Sequence, residues 1–219
     1  MEALLRSHFN LTHPHLTKLE GYESTNFKVV CDQGTYILKQ YAYSEATYAL
    51  LQSENLILEA LTGIEQQEFP FPIKGSNGSD CLVHNNFIYR LLSYVEGSFL
   101  GDVVQTPVLL RSLGRFLGNM DKAIYKTYQA PILAKETQWD LRYFKNNYGY
   151  LSYISDPGNR SLVDYFFLQF DEHVYPISQE LRKGIIHNDA NDWNVLTESG
   201  QVSGIIDFGD MCHSWLINE

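Results

Sequence analysis

One pattern in the last third of the chain constrains the fold more than any other part of the sequence. Residues 187–194 read HNDANDWN, and residues 207–210 read DFGD. The stretch between them has two apolar, strand-like runs on either side of a Glu-Ser-Gly turn, which predicts a β-hairpin. A hairpin of this size brings its two ends together. We therefore expect Asp189, Asn194 and Asp207 to lie close to one another.

Oxygen-bearing side chains make up this predicted cluster. Mg²⁺ takes oxygen ligands, and in proteins it usually shares them with substrate phosphates. A carboxylate that does not bind the metal can accept a proton from an attacking hydroxyl group. Each Asp or Asn taken alone is more often an ordinary turn residue. The joint spacing, with an apolar strand on each side of the turn, favours a metal-dependent site instead.

A second pair of charged residues lies in the first third of the sequence. In the strand predicted over residues 36–41, Lys39 shares a face with apolar neighbours, because side chains alternate along a strand. In the helix predicted over residues 43–63, Glu54 falls on the apolar stripe. A buried carboxylate needs a partner, so we predict an ion pair between Lys39 and Glu54. The alternative is that Lys39 is an ordinary edge-strand lysine.

The chain divides into a strand-rich part and a helix-rich part. The strand-rich part contains one helix, which Ser44 begins and Gly63 ends. After a hinge at residues 96–98 the pattern becomes helical. These parts define two domains, an N-lobe over residues 1–95 and a C-lobe over residues 96–219. We predict hairpins over residues 27–41 and 81–93, and helices from Thr106-Pro107, from about Trp139, and over residues 161–174 and 177–183.

The charge and the cysteines of the chain exclude some functions. The net charge is −10, whereas a protein that binds a phosphate backbone carries a basic patch, so nucleic acid is not an expected partner. The three cysteines are widely spaced and contain no Cys-x-x-Cys pair, which argues against a zinc site. The sequence has no secretory signal pattern and no apolar run of membrane-spanning length. We therefore expect a cytoplasmic protein without membrane contact.

The motif resembles the catalytic and metal-binding loops of the protein-kinase-like superfamily, which read HxDxxxxN and DFG. The longer strings GIIHNDANDWNVL and GIIDFGDM are similar to the aminoglycoside-phosphotransferase-like family. Within it they resemble the hydroxylysine-kinase-like branch, which includes kinase domains fused to class III aminotransferases. The resemblance implies an α+β, protein-kinase-like, two-lobed fold with a β-rich N-lobe and a mainly helical C-lobe. It also implies Mg²⁺ as cofactor and ATP or GTP as co-substrate.

The resemblance implies a role for each residue of the motif. Asp189 would be the catalytic base, and Asn194 and Asp207 would bind Mg²⁺. His187 would brace the loop. Asn188 stands where protein kinases have an arginine, which favours a small-molecule kinase.

The resemblance also implies how the nucleotide is bound. Lys39 would contact the phosphates, and Glu54 would hold Lys39. Residues 19–27 stand where the family has a phosphate-covering loop, although a plain turn is the alternative. The polar side chains of that loop that fit phosphate oxygens are Ser24, Thr25 and Asn26. The backbone groups expected at the purine belong to Ser93, Tyr94 and Val95.

Three functions agree with this pattern. The nearest branch favours a kinase of an amino alcohol or hydroxylated amino acid, such as hydroxylysine or homoserine, with a cationic acceptor. The alternatives are an aminoglycoside antibiotic kinase and a nucleotide-binding module without turnover. The family continues with several helices beyond the position of Asp207, so we expect a truncated C-lobe. Its uncovered apolar flank would then meet further domains or a second copy in a homodimer.

Overall fold

The strand-rich part of the molecule is a five-stranded antiparallel sheet in the order β1-β2-β3-β5-β4. The computed structural model describes residues 1–21, 24–125 and 127–219. Both predicted hairpins are present, and Asn85 and Asn86 turn the second one with positive φ angles of 48° and 65°. The strands are β1 His15–Leu19, β2 Thr25–Cys31, β3 Gly34–Ala42, β4 Leu82–His84 and β5 Phe87–Ser93.

Two helices pack on this sheet, α1 (Glu2–His8) and α2 (Glu45–Leu61). Helix α2 begins as predicted, because the Ser44 hydroxyl accepts a hydrogen bond from the backbone N–H of Thr47 at 3.0 Å. Helix α1 and strand β1 were not predicted. Burial of α1 on the sheet explains its presence, since its Leu5 is fully buried in the apolar cluster that covers one sheet face.

The rest of the chain is mainly helical. The helix predicted from Thr106-Pro107 is confirmed, whereas the one predicted from about Trp139 is a 3₁₀-helix and the one over residues 177–183 is wrong. In that last segment a short 3₁₀-turn ends at Ile177, and turns follow it. The helices are α3 Pro107–Ile124, α4 Ala130–Leu133, 3₁₀-helix Leu141–Tyr153, α5 Pro157–Gln169, π-helix Phe170–Val174 and 3₁₀-turn Tyr175–Ile177. No helix in the described ranges is long and apolar enough to cross a membrane.

Two small sheets carry the motif of residues 187–210. A three-stranded sheet has the order β6-β8-β9, and β7 pairs with β10 in an antiparallel ribbon. The predicted hairpin is confirmed as β8 and β9. The strands are β6 Ser98–Phe99, β7 Lys183–Ile186, β8 Val195–Glu198, β9 Gln201–Ile205 and β10 Cys212–Trp215, and the short 3₁₀-turns are Leu100–Asp102, Phe208–Asp210 and Leu216–Asn218.

One apolar core joins the strand-rich and helix-rich parts. Ile57 and Leu92 from the first part pack in the same buried cluster as Phe116 and Ile205 from the second. This shared core fixes the sheet of β3 relative to the hairpin β8–β9, which matters because each supplies half of the site described below. The division into domains at residue 95 stays a prediction.

The helical part also presents a broad apolar surface to solvent. Tyr150, Tyr153, Tyr165 and Phe166 are each more than half exposed. The uncovered flank expected from the sequence stays a prediction. What covers it, a further domain or a second copy, stays a prediction.

Candidate active site

A buried histidine ties the loop after β7 to the end of β9. The His187 ring is fully buried, with Nε2 at 3.0 Å from the carbonyl oxygen of Ile206 and Nδ1 at 3.2 Å from the backbone nitrogen of Asp189. A carbonyl only accepts and a backbone N–H only donates, so the proton is on Nε2 and Nδ1 accepts. Burial lowers the pKa of His187 to about 4. The imidazole is therefore neutral and links the loop to Ile206. Its role as the brace of a catalytic loop stays a prediction.

The carboxylate of Asp189 is held by two side-chain amides. Asn191 Nδ2 donates to Oδ1 at 2.8 Å, and Asn194 Nδ2 donates to Oδ2 at 2.7 Å and to the Asp189 carbonyl at 2.9 Å. Because a carboxylate only accepts, the nitrogen of Asn194 must face Asp189. Its Oδ1 is then the atom left for a metal ion. The Asn194 carbonyl accepts from the Ile206 N–H at 2.9 Å, which places Asn194 beside the residue that precedes Asp207.

Asp207 lies at the start of the 3₁₀-turn after β9, in a left-handed backbone conformation (φ 62°, ψ 70°). Its Oδ1 accepts from Lys39 Nζ at 2.5 Å. Burial disfavours both charges, but the lysine outweighs this effect and holds the pKa of the Asp207 carboxyl below its usual value. Despite the opposing effect of burial, the surrounding groups, Tyr41 and then Asp207, raise the pKa of Lys39. The pair is therefore charged.

The ion pair predicted between Lys39 and Glu54 is wrong in this structure. Glu54 Oε2 accepts instead from Arg90 Nη1 at 2.6 Å, and both side chains are almost fully buried. Arg90 lies directly opposite Lys39 in the pairing of β3 with β5, so both side chains share one face of the sheet. Arg90 therefore pairs with Glu54 in place of Lys39, and Lys39 pairs with Asp207. The missed signal is an arginine inside the apolar strand sequence FIYRLLS.

A cavity of about 150 Å³ lies between the sheet and the motif. It brings together five of the residues predicted for the site, and it adds Tyr41, Trp139, Gly209 and Asp210. Thr25 is not among the residues of its wall; it lines a neighbouring surface groove with Ser24. The wall consists of Ser24, Asn26, Lys39, Tyr41, Trp139, Asp189, Asp207, Gly209 and Asp210.

Hydrogen bonds connect the described residues of the predicted phosphate loop. Ser24 Oγ donates to Asn26 Oδ1 at 2.7 Å, and Asn26 Nδ2 donates to the Glu20 carbonyl at 3.4 Å. A β-carbon at Gly21 would lie 2.4 Å from Asn26 Nδ2, so a side chain at position 21 would disrupt this arrangement. Residues 22–23 of the predicted loop lie outside the described residues.

Residues 93–95, which were predicted to contact the purine, contact the strand-rich part of the chain. Ser93 exchanges hydrogen bonds with the backbone of Phe71, and its hydroxyl accepts the Phe71 N–H at 3.0 Å. Lys28 Nζ lies 4.3 Å from the centre of the Tyr94 ring, and Val95 is buried. None of the three lines the cavity wall given above. Contact of Ser93, Tyr94 or Val95 with a nucleobase stays a prediction.

Two acidic residues hold segments that border the cavity. Neither of them was assigned a role from the sequence. Glu219 Oε2 accepts from the backbone N–H of His187 at 2.8 Å and of Asn188 at 3.4 Å, and burial raises the pKa of Glu219 to about 7. Asp140 is buried and accepts from Ser214 Oγ at 2.6 Å and from Arg142. It thereby anchors its neighbour Trp139 at the cavity. The contacts of Glu219 with His187 and of Asp140 with Ser214 span 32 and 74 positions, so no local pattern could reveal them.

The chain is similar to proteins of known family. Residues 15–219 match the model of the phosphotransferase enzyme family (APH). Hydroxylysine kinase of Mus musculus is 27% identical over 248 residues, which cover 99% of this chain and 65% of the relative. Hydroxylysine kinase of Bos taurus is 26% identical with the same coverage. The chain thus spans 65% of the length of these curated relatives.

Solved structures share the fold. A microcompartment-associated aminopropanol kinase has a TM-score of 0.74 at 17% identity, covering 98% of this chain and 70% of that one. An amicoumacin kinase solved with AMP-PNP and Ca²⁺ has a TM-score of 0.68 at 18% identity, covering 99% and 64%. The predicted protein-kinase-like fold, with its strand-rich first part and helical second part, is confirmed. Because the family match extends over nearly the whole chain, the chain belongs to the phosphotransferase enzyme family.

Proposed function

We propose that the chain is the nucleotide-binding and catalytic part of a small-molecule kinase. It transfers phosphate from ATP or GTP to the hydroxyl group of an amino alcohol or hydroxylated amino acid, such as hydroxylysine or homoserine. The observation that carries this proposal is the convergence of Lys39, Asp189 and Asp207 on one cavity. The acceptor class is supported by the curated relatives, which are hydroxylysine kinases.

The residues present fit a magnesium ion shared with a nucleotide. The Asp207 carboxyl is 48% exposed at the cavity, and Asn194 keeps its amide oxygen available, as its nitrogen is committed to Asp189. Mg²⁺ takes such oxygen ligands together with phosphate oxygens. When bound, the ion neutralises charge on the phosphoryl group that is transferred.

The side chains of this chain then divide the work. Lys39 moves its ammonium from Asp207 to the phosphates, which is possible because this ion pair opens onto the cavity. The Asp189 carboxylate accepts the proton of the acceptor hydroxyl as that oxygen bonds to the γ-phosphorus and the nucleoside diphosphate leaves. His187 keeps the loop in place without carrying charge itself.

The cavity also suits a cationic acceptor. Its wall carries the carboxylates of Asp189, Asp207 and Asp210 and the indole of Trp139, which is 64% exposed. Carboxylates and aromatic faces both attract organic ammonium groups. An aminoglycoside would satisfy the same chemistry, but the curated relatives favour the smaller amino alcohols. A cytoplasmic location and a homodimer stay predictions.

The test is Mg²⁺-dependent ADP or GDP release across a panel of hydroxylysine, homoserine, choline, ethanolamine and aminoglycosides. The matched control is Asp189→Asn, which keeps the size of the side chain. We expect one amino alcohol or hydroxylated amino acid to stimulate release, and Asp189→Asn to reduce it at least about a hundredfold, the usual contribution of a positioned base. Stimulation by aminoglycosides alone would refute the acceptor class, and equal release in Asp189→Asn would refute the role of Asp189.

A further inference from the structure

The side chain of Asn191 makes two hydrogen bonds of opposite direction. Its Nδ2 donates to Asp189 Oδ1 at 2.8 Å, and its Oδ1 accepts from the backbone N–H of Trp193 at 2.8 Å. A carboxylate only accepts and an N–H only donates, so the two bonds fix the orientation of the amide. The second bond is a common turn contact, whereas the first holds a functional group of the site.

Together, Asn191 and Asn194 hold both oxygens of the Asp189 carboxylate. Asn194 binds Oδ2 and Asn191 binds Oδ1. Rotation of a carboxylate about its last torsion is soft, so one bond alone would leave its plane free to tilt. Two donors fix the plane, and each oxygen keeps a further lone pair for an incoming proton.

We propose that Asn191 is a positioning residue that sets the orientation of Asp189 for proton transfer. This inference rests on the proposed function of Asp189. Its basis is geometric, because a displacement of about 1 Å in a reacting group can cost about a hundredfold in rate. Asn191 donates through a neutral amide. It therefore orients the Asp189 carboxylate without a positive charge, which would make the carboxylate a weaker proton acceptor.

One substitution can remove the hydrogen-bond donor of the Asn191 side chain and keep its acceptor. Asn191→Asp keeps an oxygen for the Trp193 N–H and replaces the donor to Asp189 with a second carboxylate oxygen. The matched control is Asn77→Asp. Asn77 is exposed and its Oδ1 accepts from the Ser79 N–H at 3.0 Å, so the control has the same turn contact and the same charge change away from Asp189.

The first measurement is steady-state phosphate transfer. For Asn191→Asp we expect kcat to fall at least about tenfold while KM for the nucleotide changes by less than about threefold, the pattern of a lost orienting contact. Asn77→Asp should match the unmodified chain in both. If Asn191→Asp also matches it, Asn191 is only a turn residue and the inference is wrong.

The second measurement requires no turnover. Asn191→Asp should lower the midpoint of urea unfolding, since two carboxylates then meet. Adding Asp189→Asn should restore much of it, because the hydrogen bond re-forms with donor and acceptor exchanged. Additive losses in the double variant would overturn the inference. Absence of transfer in the unmodified chain, beside a restored midpoint, would instead overturn the proposed function.

Discussion

Two ion pairs lie on the same face of the five-stranded sheet, and they differ in their access to solvent. The side chains of Arg90 and Glu54 are 2% and 4% exposed, whereas those of Lys39 and Asp207 are 12% and 48% exposed. The buried pair joins β5 to α2. Under the proposed function, Lys39 leaves Asp207 for a phosphate and the Asp207 carboxylate binds a metal ion. We therefore infer that the buried pair stabilises the fold and that the more exposed pair serves the proposed function.

Breaking the buried pair of Arg90 and Glu54 should lower the free energy of unfolding more than any other change discussed below. Arg90→Met leaves the Glu54 carboxylate buried without its partner. We expect the free energy of unfolding to fall by about 3–5 kcal/mol, the usual cost of breaking a buried pair. Urea denaturation measures it. The double variant Arg90→Met/Glu54→Leu should lose much less, and equal losses in the two variants would show that the pair is not what stabilises this contact.

The buried, neutral side chain of His187 gives a second test of how burial affects an ionisable group. The pKa of His187 is about 4 in the folded chain against an ordinary 6.5, so on acidification the unfolded chain takes up the proton first. Stability due to this group is intact above pH 6.5 and is lost as the pH falls towards 4. Over that window the loss relative to His187→Gln should reach about 3 kcal/mol. Urea denaturation at several pH values measures it, and parallel curves for the two proteins would contradict the assignment.

The smallest effect on stability is expected at the cavity pair. Asp207→Asn should lower the free energy of unfolding by less than Arg90→Met does, because the Asp207 carboxyl is 48% exposed and water already screens its charge. Mg²⁺-dependent nucleotide affinity should instead fall by about tenfold or more, which calorimetric titration with and without Mg²⁺ would detect. Asp171→Asn is the control, because the Asp171 carboxyl pairs with Lys145 at 2.7 Å and is 47% exposed, close to the 48% of Asp207. Unchanged Mg²⁺ dependence in Asp207→Asn would remove Asp207 from the metal site.

The same comparison explains what the sequence could reveal. The hairpin β8–β9 is a local element, so the apolar runs on either side of its Glu-Ser-Gly turn were enough to predict it. The hairpin in turn predicted that Asp189, Asn194 and Asp207 lie close to one another.

Strand alternation placed Lys39 on the same face of β3 as Tyr41, and both side chains line the cavity. The partner of Glu54 could not be predicted in the same way. Lys39 on β3 and Arg90 on β5 are both candidates, and their relative positions follow only from the pairing of these two strands.

Other parts of the site depended on contacts that no local pattern contains. Glu219 binds the backbone of residues 187 and 188, and Asp140 is held by Ser214 on β10. Asn191 lies inside the predicted motif, yet its sequence spacing does not distinguish a turn residue from a donor to Asp189. Only the placement of its amide between Asp189 and Trp193 showed both contacts.

The proposed function has the cavity between Lys39, Asp189 and Asp207 transfer phosphate to a small hydroxylated amine. ³¹P NMR of the chain with ATP, Mg²⁺ and hydroxylysine or homoserine detects the product itself. We expect a new phosphate-ester signal that requires Mg²⁺ and disappears in Asp189→Asn. A chain that binds ATP and Mg²⁺ but forms no phosphate ester with any amino alcohol or hydroxylated amino acid would refute the proposed function.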